Sequence, residues 1–272
     1  VKRILFTSVA LLLTVTVFAQ QDASHLSKRQ LRKIKKYQIL RNEQGMDTQY
    51  GHEFDLGGRL TTNGWSAYLE YEKRTSETTS TMFQLEFGEI KDPKEDKQAR
   101  SLGSDIYGYA YSGHPFVYGK RNIFYQARLG VGQRRLVGGK GNKNGVEVSV
   151  IYLGGISLGL VKPYYLELLD SSNTGTHYVK YSEADAADFL SINNIVAGPG
   201  LGKGWSEVQV VPGVYGRLGM RFDWAEFNEF VSAVEVGLDG ELYSKKVQIM
   251  VRNPSKQFYY GAYVSLLFGR RW

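Results

Sequence analysis

The chain has no cysteine, 6 prolines and 4 histidines in 272 residues. The first absence excludes disulfides, thiolate metal sites and cysteine nucleophiles. The scarcity of histidine leaves His25, His52, His114 and His177 as the only imidazole candidates for general acid–base work, and none lies beside a serine in a recognisable catalytic motif. Beyond the first twenty residues no apolar run approaches the roughly 20 residues that a membrane-spanning helix needs. If the mature chain enters a membrane, strands must take it there. Mean hydropathy is −0.32 and 42% of residues are hydrophobic, values ordinary for a soluble protein.

What is present points elsewhere. The 19 tyrosines and 31 glycines suit aromatic-rich, all-β architecture with tight turns. At the N-terminus, Lys2 and Arg3 precede an apolar run from Ile4 to Phe18, and Val17-Phe18-Ala19 supplies tolerated cleavage positions. This pattern predicts a signal peptide over 1–19, cut before Gln20. A true anchor would be longer, and here the chain turns polar at Gln20-Gln21-Asp22.

Period-two alternation predicts about eight strands over 49–272. Phe54, Leu56 and Leu60 alternate with Glu53, Asp55 and Arg59; Trp65, Ala67, Leu69 and Tyr71 alternate with Tyr68, Glu70 and Glu72. Similar segments centre on Phe83–Phe87, Ile123–Val131, Val146–Leu158, Val208–Trp224 and Glu229–Tyr243, although Ile151 and Leu153 blur the polar face of the fifth. The last places Phe258, Tyr260, Val264, Leu266, Phe268 and Trp272 on one face. A final amphipathic strand ending on an aromatic resembles the assembly signal of bacterial outer-membrane barrels. A β-sandwich gives the same alternation. The leader, the terminal aromatic strand and the flanking Trp and Tyr residues favour an all-β, transmembrane antiparallel barrel.

Connection lengths agree with that choice. Turns at Ser76–Thr79, Gly138–Gly145 and Ala225–Asn228 are short, whereas Glu89 to Lys120 and Val161 to Gly204 are long. Short periplasmic turns and long outer loops then place both termini in the periplasm. Within the barrel, Glu70, Glu72, Glu86, Glu147, Glu235 and Asp239 share the interior with Arg59, Arg128, Arg217 and Arg221. Buried charges must pair, so an internal salt-bridge network is expected, and it would fill so narrow a barrel. The glycine-rich segment Ala197–Gly204 lacks P-loop spacing and reads as a flexible loop.

Between leader and barrel, 20–48 forms a basic periplasmic segment. It carries Lys28, Arg29, Arg32, Lys33, Lys35, Lys36 and Arg41, with no acid from Ser27 to Arg41. With these and the leader set aside, the rest of the chain is nearly neutral, so the net charge of +7 belongs largely to this segment. Leu31, Ile34, Tyr37 and Leu40 recur at helical spacing, which permits a short amphipathic helix. These seven basic residues are the candidate partner-binding set. The compartment excludes nucleic acid and favours outer-membrane lipid or other envelope proteins; the bland alternative is a solvated arm.

Phe116-Val117-Tyr118-Gly119-Lys120-Arg121-Asn122, Gly130-Val131-Gly132, Gly154-Gly155 and Lys162-Pro163-Tyr164-Tyr165 together resemble the small outer-membrane barrels of Bacteroidota, some of which accompany type IX secretion machinery. The resemblance implies an accessory or structural membrane protein without a known cofactor and carries over no functional residue; no enzymatic activity is expected. The expected function is a docking subunit of an envelope complex. An outer-membrane lipid-modifying enzyme using His114 or His177 at the outer rim, or a small passive channel, are the alternatives.

Overall fold

The computed structural model describes residues 51–104, 110–139, 145–170, 175–200, 202–225 and 230–272. Contacts divide the chain into Val1–Gln49 and Tyr50–Trp272. The expected leader over 1–19 and the basic segment over 20–48 lie outside the described residues.

Eight strands form a closed antiparallel barrel. They are β1 (His52–Thr61), β2 (Gly64–Ser76), β3 (Thr79–Ile90), β4 (Asn122–Gly138), β5 (Glu147–Pro163), β6 (Gln209–Asp223), β7 (Phe230–Val247) and β8 (Lys256–Arg271). Each pairs with its neighbours in sequence, and β1 closes on β8, from Glu53 opposite Arg271 to Thr61 opposite Tyr263. Closure removes both sheet edges, so every strand backbone finds a partner within the barrel.

Alternation sets which side chains face where. In β1, Phe54, Leu56 and Leu60 are exposed while Glu53, Asp55 and Arg59 are buried. The same inversion holds along β8, where Phe258, Tyr260, Val264, Leu266 and Phe268 stand outside and Tyr263, Ser265 and Leu267 inside. Strand β8 thus carries an apolar outer face over Phe258–Phe268, the 9–11 residues that a tilted spanning strand uses. Aromatic side chains mark both rims. At one end His52 stacks between Tyr71 and Trp272, at 5.8 and 6.2 Å between centroids. At the other Trp205 stacks on Tyr125 at 5.6 Å, and Tyr125 on Phe87 at 5.8 Å.

The connections differ sharply between the two ends. Those at the end where β1 begins and β8 ends are short: 77–78, 139–146 and 224–229, of which 140–144 and 226–229 lie outside the described residues. At the opposite end, 62–63 and 248–255 are short, and 91–121 and 164–208 are long.

The long connections are more than loops. Lys97–Gln98 pairs with Phe116–Val117, Ser101–Ser104 with Ala110–Ser112, and Tyr165–Leu169 lies between Thr176–Lys180 and Ile195–Ala197. Leu166, Leu168, Phe189 and Ile195 pack with Phe116, Ile249 and Met250 into a buried apolar cluster, which gives this end a cap with its own core. Alternation in the barrel strands could not reveal it, because these short elements pack on one another.

Candidate functional site

Lumen side chains assemble around two opposite hubs. The first is cationic. Arg221 on β6 donates from Nη1 to Glu70 Oε1 at 3.2 Å and Glu72 Oε1 at 3.0 Å, and from Nη2 to Asp55 Oδ2 at 3.0 Å and to Glu53. Arg134 pairs with Glu53 at 2.9 Å and Glu72 at 3.0 Å, and Arg271 bridges Glu53 at 2.7 Å and Asp223 at 2.6 Å. Strands β1, β2, β4, β6 and β8 thereby meet at one level near the start of β1 and the end of β8.

The second hub is anionic. Glu86 on β3 receives Arg59 at 2.6 Å, Arg217 at 2.8 Å and Arg128 at 3.5 Å. Arg128 also reaches Asp239 at 3.1 Å and pairs with Glu241, and Arg59 lies 3.6 Å from Glu235. Gln84 joins the hubs: its Nε2 donates to Glu70 Oε2 at 2.7 Å, and its Oε1 accepts from Arg217. Two lumen positions of one strand, Gln84 and Glu86, therefore couple both ionic clusters.

Aromatic rings enclose the guanidinium groups. Arg59 lies over Tyr68 at 4.3 Å and Tyr263 at 4.7 Å, and Arg128 over Tyr215 at 5.3 Å. Such stacking supplies cation–π attraction in a site screened from water. Lumen glycines make room for these rings. A Cβ on Gly57 would stand 2.2 Å from Tyr68 Cζ, and one on Gly130 would stand 2.1 Å from Tyr215 Oη. Ile151 and Leu153, which blur the polar face in the sequence, join Met82 and Tyr215 in an apolar cluster inside the barrel.

Towards the cap the lumen becomes aromatic. Phe124 contacts Tyr243 edge-on at 5.0 Å and Tyr259 at 5.4 Å, and the two tyrosines lie 5.9 Å apart. These rings belong to the same buried cluster as the cap's Leu166 and Phe189. Ions, rings and cap thus follow one another along the axis.

Nine of the ten expected side chains form the network, whereas Glu147 is half-buried and makes no ion pair among the described residues. The network is also wider than the sequence reading. Glu53 and Asp55 join it from β1, Asp223 from β6 and Glu241 from β7. Arg134 joins because β4 continues to Gly138, beyond the alternating stretch that ends at Val131. Arg271 was hidden beside the terminal aromatic.

Oxygens of Glu53, Asp55 and Glu72 lie within 4.8 Å of one another, a spacing open to a metal ion. Arg134, Arg221 and Arg271 already occupy these carboxylates. A cation placed there would meet three guanidinium groups, so the trio reads as the acidic half of an ion-pair cluster.

The remaining candidates are dispersed. Lys28, Arg29, Arg32, Lys33, Lys35, Lys36, Arg41 and His25 lie outside the described residues. His52 sits on the rim where β1 begins and β8 ends, and there Nδ1 and Tyr71 Oη share a hydrogen bond of 2.7 Å. His114 is exposed, and its carbonyl accepts from Gly198 N at 2.9 Å. His177 lies 3.8 Å from Asp170, both more than half exposed. In the glycine-rich segment, Gly204 takes φ 85° and opens a 3-10 turn at Trp205–Glu207. Glu207 accepts from Lys180 and from Tyr165 Oη. Those bonds hold its carboxyl below the ordinary range and raise the Lys180 ammonium.

No family model and no curated protein matches the chain in sequence. Solved structures similar to it include the attachment invasion locus protein Ail of Yersinia pestis, at 10% identity and TM-score 0.38, over 82% of this chain and 100% of that one. The N-terminal β-barrel domain of Pseudomonas aeruginosa OprF is 10% identical at TM-score 0.34, over 81% and 98%. A major outer membrane protein from Thermus thermophilus is 10% identical at TM-score 0.39, over 81% and 99%.

Proposed function

We propose that this chain is a non-enzymatic outer-membrane β-barrel that serves as an accessory or docking subunit of an envelope complex. The observation that carries the membrane part is the inversion of the barrel. Leu56, Leu60, Leu218, Leu238 and Val264 are more than half exposed, whereas Arg59, Glu86 and Arg221 are at most 1% exposed. A belt of that kind is unfavourable against water and matches hydrocarbon. In the orientation that puts short turns in the periplasm, both termini are periplasmic and the cap faces outward.

A lumen packed with ions and rings disfavours a conducting pore and leaves a platform with two working surfaces. One is the outer cap. The other is the periplasmic arm, where Lys28, Arg29, Arg32, Lys33, Lys35, Lys36 and Arg41 offer a cationic segment to an acidic partner or to anionic lipid. Secretion machinery of the type IX class is the partner that the sequence resemblance suggests.

The test is affinity purification from outer membranes in mild detergent, with the full chain and with 27–41 deleted. Stoichiometric companions that are lost on deletion, while the barrel stays folded, are the expected result. Recovery of the barrel alone, or retention of the companions without the arm, overturns the docking assignment.

A further inference from the structure

The hairpin joining β7 to β8 differs from the rest of the loop end in its charge. From Ser244 to Gln257 it carries Lys245, Lys246, Arg252 and Lys256 and no acid. All four cations are exposed. The acid bonded to this hairpin, Asp92, is 9% exposed and accepts from Asn253 Nδ2 at 2.7 Å and from Lys94 N at 3.0 Å. It is therefore used inside the cap, and Lys94 Nζ, 3.2 Å from Asn253 Oδ1, adds a further positive charge beside the tip.

Directly along the barrel wall the surface turns apolar. Lys256 shares its outward face with Phe258 and Tyr260, which stack at 5.7 Å and are 55% and 75% exposed. Phe258 lies opposite Leu242 on β7, and Val264 and Leu266 continue the face below. Cations, then aromatic rings, then aliphatic side chains succeed one another over one pair of strands. That is the order of a lipid's phosphates, its interfacial region and its chains.

We propose that the β7–β8 hairpin and the wall beneath it form a binding surface for an amphiphile whose headgroup carries two phosphate monoesters. Four cations unopposed by acid exceed the charge of a single phosphodiester, which is the reason for choosing a bisphosphorylated headgroup. Attraction of this sort is electrostatic and weakens with added salt. The proposal rests on the membrane reading above.

The full chain in detergent micelles, offered bisphosphorylated lipid A, its monophosphoryl form, phosphatidylglycerol or inorganic phosphate, supplies the test, with retained ligand counted by native mass spectrometry. Wild-type protein should retain the bisphosphorylated lipid best. Changing Lys245, Lys246, Arg252 and Lys256 together to Gln should reduce that retention by at least about tenfold. Changing Lys73, Arg135 and Arg270 to Gln at the opposite rim should leave it unchanged. Equal retention by wild type and the hairpin variant overturns the proposal, as does no preference over phosphatidylglycerol, or competition by inorganic phosphate at equal concentration. A thiol label at position 218, read in the same preparation, separates the two readings. Label in lipid with no hairpin effect removes only this surface, whereas label in water removes the membrane reading itself.

Discussion

Arg221 on β6 and Glu72 on β2 meet in the lumen at 3.0 Å, although their strands share no backbone hydrogen bond. The contact crosses the barrel. With Glu53, Asp55 and Glu70 on the same guanidinium, it ties opposite walls together. A buried ion pair adds little over a well-packed apolar pair, but removing one partner leaves charges stranded.

Arg221→Ala should therefore destabilise the barrel by about 3–5 kcal/mol. Urea titration of the refolded protein, followed by the gel shift between folded and unfolded forms, measures this. Arg221→Lys should fall between, because one ammonium cannot serve four carboxylates with the fork of a guanidinium. Equal stability of Arg221→Ala and wild type would remove the hub.

How much of this was legible in the sequence follows from what alternation can encode. Phe54 against Asp55, or Leu218 against Arg217, displays its face directly, so strand positions and the charged interior could be read. Arg134 could not, because Gly132 and Gln133 break the apolar rhythm before β4 ends. Ile151 and Leu153 break the pattern because their partners, Met82 on β3 and Tyr215 on the neighbouring β6, form an apolar corner that they fill. The cap was illegible for a related reason. Phe116, Phe189 and Ile249 come from three separate connections and acquire a core only by meeting.

Gly57 is expected to tolerate no side chain while Tyr68 lies over it. Gly57→Ala would set a Cβ 2.2 Å from Tyr68 Cζ, displacing the ring from Arg59 and its hydroxyl from Ser265, now at 3.0 Å. Overpacking of this kind costs about 1–3 kcal/mol. A double-mutant cycle with Tyr68→Ala should show strong coupling, and additive effects would contradict the fit.

Passage of ions should be absent. Reconstituted in a planar bilayer, the full chain should give no stepwise conductance, because the rings of Phe124, Tyr243 and Tyr259 close the axis above the ionic layers. Regular conductance steps would show that this layer opens.

The cap should respond to pH through Glu207 and Lys180. Glu207 titrates below its ordinary 4.5, so its contribution is present above that value and is lost as pH falls through the lowered one. Lys180 titrates above its ordinary 10.5, so its contribution is present below that value and is lost as pH rises through the raised one. With Trp65, Trp224 and Trp272 changed to Phe, Trp205 emission should stay flat between these limits and change below 4.5. Glu207→Gln should abolish the acid-side change; its persistence would assign that change to another group.

The absence of cysteine allows the most direct test of the central claim, that the apolar outer face lies in lipid. Leu218→Cys and Val264→Cys, each carrying an environment-sensitive thiol label, report on residues 58% and 52% exposed. In vesicles, both labels should emit as in hydrocarbon, be quenched by lipids brominated on their chains, and resist aqueous iodide. Quenching by iodide with no effect of brominated chains would place this face in water and contradict the account.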